Sequence, residues 1–258
     1  MSEKAITIED LFYSYPGEDA CLRGISFSVD RGETFGLIGP NGAGKSTLLL
    51  HMNGVLRGEG RVEVFGRPLR KDTVRLIRKQ VGIVFQDPND QLFMPTVFEN
   101  VAFGPANMDL DRAEVELRTG RMLEAMGLSG YADRSADKLS LGEKKKVSLA
   151  SVLVMEPDVL ALDEPTANLD PGGRRTLIQL LRSIPGTKVI ATHDLDMAFE
   201  LCTRIALMDQ GTIVAAGAAG DILADGDLLE KHSLEVPLSL LIATGAPPRT
   251  NSGWRPGP

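Results

Sequence analysis

The hydrophobic pattern of this chain changes character three times between its ends. Short β-rich segments come first, over residues 5–13, 25–30, 34–38 and 61–65, and another at 81–85 follows a helical stretch near 72–78. From about residue 96 to 155 the spacing turns helical. Asp111 with Glu114 matches a capping box at the head of one helix there, and Gly127 suits its stop. Strand and helix then alternate again: β at 159–163, helix at 172–183, β at 188–192, helix at 194–202, and strands at 204–208 and 212–216. Beyond about residue 237 the periodicity fades, and the Gly- and Pro-rich stretch from Gly245, with a lone Trp254, is expected to be disordered. The pattern predicts an α/β fold whose core is split in sequence by a helical insertion, without tandem repeats.

Composition narrows the setting. At 258 residues, 43% hydrophobic and 24% charged, the chain can bury a substantial core as one large domain or a domain with an insertion. No apolar run reaches the ~18 residues of a membrane span, and residues 1–4 lack the basic and apolar regions of a signal peptide. A soluble cytoplasmic protein is expected. A net charge of −7 and a pI near 5.1 argue against nucleic acid as a partner. The one dense basic run, Lys144-Lys145-Lys146, reads as a solvated helix face, so any membrane must be reached through another protein. Cys21 and Cys202 lie far apart without metal-ligand spacing and are expected to be reduced, buried and structural.

The most informative motif follows the apolar run 34–38. Gly39-Pro40-Asn41-Gly42-Ala43-Gly44-Lys45-Ser46 spells the P-loop, and the residues from Ser46 and Thr47 onward suit a helix. Glycines let consecutive N–H groups turn inward on a polyphosphate, and the helix start directs its dipole at the same anion. Lys45 then neutralises the outer phosphates, while the Ser46 hydroxyl is placed to ligate Mg2+. The expected ligand is a nucleoside triphosphate. A second motif, 159–164, is an apolar strand ending in Asp163 and Glu164, at the sheet edge where α/β proteins bind ligands. Asp163 can hold Mg2+, and Glu164 is the candidate that polarises an attacking water, which makes γ-phosphate hydrolysis the expected reaction.

Further segments, in order, make the chain resemble the ATP-binding-cassette (ABC) ATPases. Leu139-Ser140-Leu141-Gly142-Glu143 resembles their LSGGQ signature, Gln86 their Q-loop glutamine and His193 their switch histidine. Asn168-Leu169-Asp170 is similar to the D-loop, and Tyr15 to the aromatic that stacks on adenine. The resemblance covers about residues 5–225. It implies a P-loop NTPase core with a central, mainly parallel sheet, an N-terminal antiparallel β part and an inserted helical subdomain. The domain would run over residues 1–236, with its core at about 1–91 and 156–225 and the helical subdomain at 92–155, followed by a Gly- and Pro-rich tail at 237–258 that is expected to be disordered. ATP and Mg2+ follow as substrate and cofactor, with Gln86 a further Mg2+ contact. A second ATPase subunit would present Ser140, Leu141, Gly142 and Glu143 to the γ-phosphate; Gln86 and Asp170 would couple the subunits, and integral membrane subunits would be the partners at the cytoplasmic face.

Within that family, residues 84–93, 139–155 and 191–196 look most like the ATPase subunits of energy-coupling-factor importers, particularly those for cobalt or nickel. Leu141 and Glu143 depart from the usual Gly and Gln; a side chain can crowd a close backbone approach, and a carboxylate adds negative charge near phosphate. Several of these residues also have plain structural roles open to them. Ser140 and Glu143 fit S-x-x-E, so Ser140 can cap the helix that starts near Gly142. Gln86 can be a surface amide, His193 a hydrogen-bonded strand-end residue, and Tyr15 can pack the first hairpin beside Tyr13. The alternatives are a soluble cassette ATPase of translation or DNA repair, although neither a second cassette nor a long coiled-coil insertion is visible, and an importer motor for a vitamin or other solute. A P-loop kinase or GTPase leaves Gln86, Ser140 and His193 unexplained, and no Asn-Lys-x-Asp guanine signature is present.

Overall fold

Strands β1 (Lys4–Ser14), β2 (Ala20–Asp30) and β3 (Thr34–Ile38) lead into α1 (Lys45–Met52), followed by β4 (Glu59–Val64), β5 (Arg67–Pro68), α2 (Val74–Gln80) and β6 (Val81–Val84). Helices α3 (Val97–Ala106), α4 (Arg112–Ala125) and α5 (Leu141–Leu153) come next, then β7 (Val159–Asp163), α6 (Pro171–Ser183), β8 (Thr187–Thr192) and α7 (Leu195–Leu201). The chain continues through β9 (Arg204–Asp209), β10 (Thr212–Ala218), α8 (Ala219–Ala224), α9 (Gly226–Lys231) and α10 (Leu238–Thr244). This computed structural model describes residues 3–108 and 110–244.

Two sheets result. The first, ordered β2-β1-β4-β5, is antiparallel throughout; the second, ordered β10-β9-β3-β8-β7-β6, is parallel except for the antiparallel β9–β10 pair. Because side chains alternate along a strand, each parallel strand feeds two cores. Val159 and Ala161 of β7, with Phe35, Leu37, Val189 and Ala191, pack with α1 residues Leu48, Leu49 and Met52 and with the antiparallel sheet. Leu160 and Leu162 instead join Leu177, Ile178 and Leu181 of α6 and Val147, Leu149 and Val152 of α5. Burial of side chains such as these contributes about 1.5–3 kcal/mol each. The parallel sheet is therefore covered on both faces, and only its strand ends are left to carry chemistry.

Local signals set the helix boundaries. Asp111 accepts the Glu114 N–H at 2.8 Å, but the reciprocal half of the expected capping box is replaced, because the Glu114 carboxylate pairs with Arg118 one turn on. Gly127, at φ 69°, ends α4: the Leu128 N–H reaches the Leu123 carbonyl at 2.7 Å and the Gly127 N–H the Glu124 carbonyl at 2.9 Å. The expectation of disorder from residue 237 fails for Leu238–Thr244, which form α10. Tertiary contacts order this segment where periodicity gives no signal: Leu240 is buried, and the Ser239 N–H donates to the Asp196 carboxylate at 2.8 Å. Residues 245–258 lie outside the described residues.

Candidate functional site

Strand order assembles the site. In the sequence β3-β8-β7-β6, neighbouring carboxyl ends lead into the P-loop, His193, the Asp163–Glu164 pair and Gln86. Four segments scattered over more than half the chain thus meet along one sheet edge.

The P-loop needs its glycines for distinct reasons. A Cβ on Gly39 (φ 150°) would fall 2.1 Å from the Met208 carbonyl oxygen, and Gly44 takes the cap position of α1 at φ 99°, a left-handed conformation that suits glycine. The first turn of α1 has neither a side-chain cap nor an acidic residue. Its N–H groups, which have no intrahelical acceptor, remain for an anion. Lys45 is buried and folds back across the loop, donating to the Gly39 carbonyl at 2.7 Å and the Pro40 carbonyl at 3.0 Å. Burial lowers its pKa, and the charges of Glu164 and Asp163 oppose that shift.

The two carboxylates at the end of β7 have different surroundings. Asp163 is pushed upward in pKa chiefly by burial, while a hydrogen bond from Ser46 and the ammonium groups of Lys45 and Lys145 act the other way and the Glu164 charge adds to the rise. Its Oδ1 is buried without a hydrogen-bond partner among the described residues. An orphaned carboxylate oxygen beside a serine hydroxyl is a hard donor set that fits Mg2+, which takes one or two protein oxygens and completes its shell from phosphates and water. Glu164 is 5% exposed and fully engaged: Oε1 accepts from His193 Nδ1 at 2.8 Å and lies 3.8 Å from Lys45 Nζ, and Oε2 accepts from the Thr192 hydroxyl at 3.1 Å. An ionised Glu164 makes His193 Nδ1 the protonated nitrogen. His193 itself is exposed.

A supporting network stands behind that pair. Asp194 caps α7 through the Met197 N–H (3.0 Å) and holds Arg174 of α6 at 2.7 and 2.8 Å; the Thr166 hydroxyl also donates to it. Burial acts against the Asp194 charge, yet these bonds, Arg174 foremost, leave its pKa below the usual value. The Asp194 N–H returns to Thr192 Oγ1 at 2.9 Å, so α6 is linked through one carboxylate to the turn carrying His193. Asp170 begins α6 by accepting the Gly173 N–H at 2.6 Å.

The signature segment sits elsewhere. Ser140 and Glu143 make a full capping box on α5: Ser140 N–H and Oγ–H both donate to Glu143 Oε2 at 2.7 Å, and the Glu143 N–H donates to Ser140 Oγ at 3.4 Å. These bonds, with one from Tyr131, hold the Glu143 pKa below its ordinary value. Leu141 is half-buried, and the one atom near a Cβ built on Gly142 would be Leu169 Cδ2 at 3.9 Å. Residues 140–143 line neither the cavity of about 620 Å³ beside Glu164, His193 and Arg174 nor the one of about 520 Å³ beside Pro40, Asn41 and His193.

Gln86 has an exposed side chain, and its main-chain carbonyl is the group held, by Lys145 Nζ at 3.1 Å. This corrects the picture of residues 144–146 as a solvated face, since Lys145 is only 6% exposed. Lys145, Ser148, Leu149 and Val152 follow the i, i+3, i+4, i+7 rule and are all buried, a helical stripe that the sequence does contain. Tyr15 lies beside the P-loop helix, its hydroxyl 3.2 Å from Thr47 Oγ1 and its ring edge-to-face with Tyr13 at 5.0 Å. Cys202 is buried, its thiol pushed up to about 12, as expected for an inert residue. Cys21 departs from expectation: it is half-buried, and its thiol donates to Thr47 Oγ1 at 3.4 Å. Among the described residues no helix is long and apolar enough to cross a membrane.

Known proteins similar to this chain identify its family. A family profile described as ABC transporter matches residues 22–167. A protein from Gloeobacter violaceus, provisionally named as an ABC transporter ATP-binding protein, is 54% identical over 238 residues, covering 91% of this chain and 98% of the relative. An energy-coupling factor transporter ATP-binding protein, EcfA, from Methanothermobacter thermautotrophicus is 44% identical over 238 residues, covering 90% and 76%. Among solved structures, CbiO1 from Clostridium perfringens, part of the CbiONQ ABC transporter complex, superposes with a TM-score of 0.78 at 36% identity, covering 94% of this chain and 99% of that one. With its P-loop core, mixed sheet and inserted helices, the chain belongs to the ATP-hydrolysing ATPase family of ABC transporters.

Proposed function

We propose that this chain is the motor subunit of an energy-coupling-factor importer for cobalt or nickel ions, seated peripherally at the cytoplasmic face of the membrane. The observation that carries the motor reading is the Glu164 carboxylate: a buried acid at the carboxyl edge of the sheet, bonded to His193 and close to the P-loop lysine. ATP would lie over residues 39–47, its adenine against Tyr15, where stacking contributes about 1–3 kcal/mol. Ser46, Asp163 and Gln86 would hold Mg2+, which when bound neutralises charge on the β- and γ-phosphate oxygens. Glu164 would take a proton from the attacking water as it adds in line to the γ-phosphorus while the bond from that phosphorus to the β–γ bridging oxygen breaks and ADP leaves, and His193 would orient the water and the γ-phosphate.

One chain cannot complete this site. Residues 140–143 line neither cavity beside the catalytic residues, which supports a second ATPase subunit, identical or related, supplying its Ser140 segment to the γ-phosphate bound here. Contacts to that phosphate would bias the pair toward closure, and hydrolysis would remove them. Gln86 and Asp170 would relay the change, with a core at about 1–91 and 156–225 moving against a helical subdomain at 92–155. Integral membrane subunits would receive it. The likeness to EcfA and CbiO1 supports the energy-coupling-factor reading, and the resemblance of residues 84–93, 139–155 and 191–196 to cobalt and nickel importer ATPases supports the choice of metal. The test is purification from detergent-solubilised membranes of the source cell. Integral membrane proteins should accompany the chain, and vesicles rebuilt from the complex should accumulate radioactive Co2+ or Ni2+ only with ATP. Recovery on ribosomes or DNA instead would overturn the reading.

A further inference from the structure

Lys145 is a buried ammonium that none of the phosphate-binding motifs explains. Its Nζ donates to two main-chain carbonyls, that of Gln86 at 3.1 Å and that of Glu164 at 3.2 Å. These carbonyls follow neighbouring strands, β6 and β7, whereas the lysine belongs to the second turn of α5, five residues after Ser140. Burial is the main influence on it and works against its charge, with Glu164, Asp87 and Asp163 compensating. An aliphatic side chain would fill the same stripe without that penalty, so the charge is explained by what it holds.

The peptide that it holds is unusual. Glu164 has φ 42°, a left-handed conformation that a non-glycine residue keeps only when its surroundings fix it. Its N–H donates to the Ala191 carbonyl at 2.9 Å, and its carbonyl accepts the Ala167 N–H at 3.1 Å as well as Lys145 Nζ. Two of these restraints come from the core itself. The third arrives from the helix that begins with the signature.

We infer that Lys145 is a positioning residue, through which the placement of α5 sets the backbone of the catalytic carboxylate and of the Gln86 loop together. A shift of α5 relative to the sheet moves one ammonium and so acts on both carbonyls at once. Signature engagement at one end of the helix is thereby felt at Glu164 through its second turn. The inference rests on Glu164 being the base, as proposed above, and deepens that reading by naming how the base is held.

The test uses the transporter complex purified as above, its ATPase chain carrying Lys145→Met, Lys145→Gln or Glu164→Gln, for kcat and KM, and the full chain itself for MgATP affinity by calorimetry and for thermal melting. Lys145→Met should lower kcat about tenfold or more while MgATP affinity stays within about twofold. Lys145→Gln, whose amide can still donate to one carbonyl, should recover about threefold of the loss. Normal kcat in Lys145→Met overturns the inference, as does a parallel fall of kcat, affinity and melting temperature in both lysine variants, the signature of a purely structural role. Normal turnover in Glu164→Gln overturns the base reading; a slow Glu164→Gln beside a normal Lys145→Met overturns the inference alone.

Discussion

Helices α1 and α5 each begin at a segment suited to phosphate, and they begin in opposite ways. At α1 the cap is Gly44, which offers no side-chain acceptor, and no acid stands in the first turn. At α5 the cap is Ser140 in extended conformation, answered by Glu143 in a complete capping box. The first helix leaves its N–H groups open and directs a lysine along them. The second satisfies its own end and places a carboxylate there, which stabilises the helix but opposes an anion. The lesson is that the end of α1 is left open to an anion, whereas the end of α5 is satisfied by its own side chains, the Ser140 hydroxyl being donated to Glu143 at 2.7 Å.

The contrast breaks most severely at Lys45. Lys45→Ala removes the buried ammonium at the start of α1, and loss of a charged hydrogen-bonding partner of about 3 kcal/mol corresponds to roughly 100-fold weaker MgATP binding. Calorimetry on the isolated chain is the measurement, and unchanged affinity would remove α1 from the comparison. Ser140→Ala should act differently. Loss of the cap costs about 1 kcal/mol, or about 2–4 °C in melting temperature for a chain of this size. Monomer affinity for ATP should be unaffected, while turnover of the paired form falls several-fold. A lower melting temperature with normal turnover would make Ser140 a cap and nothing more.

The two helix ends also differ in how far the sequence discloses them. The P-loop, Asp163 and Glu164 are legible because consecutive residues at the end of one apolar strand carry the chemistry, and strand order does the rest. Capping of α5 is legible for the same reason, since Ser140 and Glu143 are three apart. Lys145 was obscured by its neighbours: three consecutive lysines suggest solvent, and the buried stripe with Ser148, Leu149 and Val152 emerges only when the charge is set aside. Arg174 and Asp194 meet across twenty residues through the packing of α6 on α7, a contact with no local spacing to announce it. Helix α10 depends on Asp196 and on apolar packing in the same way, which is why a fading periodicity misrepresents residues 238–244.

The smallest and most discriminating change is Glu143→Gln, which keeps an amide in the capping box but removes the charge from the mouth of α5. Closure onto a second subunit's nucleotide should then be favoured by about 0.5–1 kcal/mol, a two- to fivefold lower KM for ATP in steady-state assays. Stability should move in the reverse direction, because the carboxylate complements the helix dipole and accepts two bonds from Ser140. The sign with pH follows from the lowered pKa of Glu143. A carboxyl that is more acidic folded than unfolded stabilises fully above its unfolded value, about 4.3, and loses that contribution as pH falls through the lower folded value. Glutamine does not titrate. The melting temperature of the native chain should therefore exceed that of Glu143→Gln by a constant amount near neutrality, and the gap should narrow below about pH 4. A gap unchanged down to pH 3 would mean that the charge plays no part in the cap, and α5 would then differ from α1 by its serine alone.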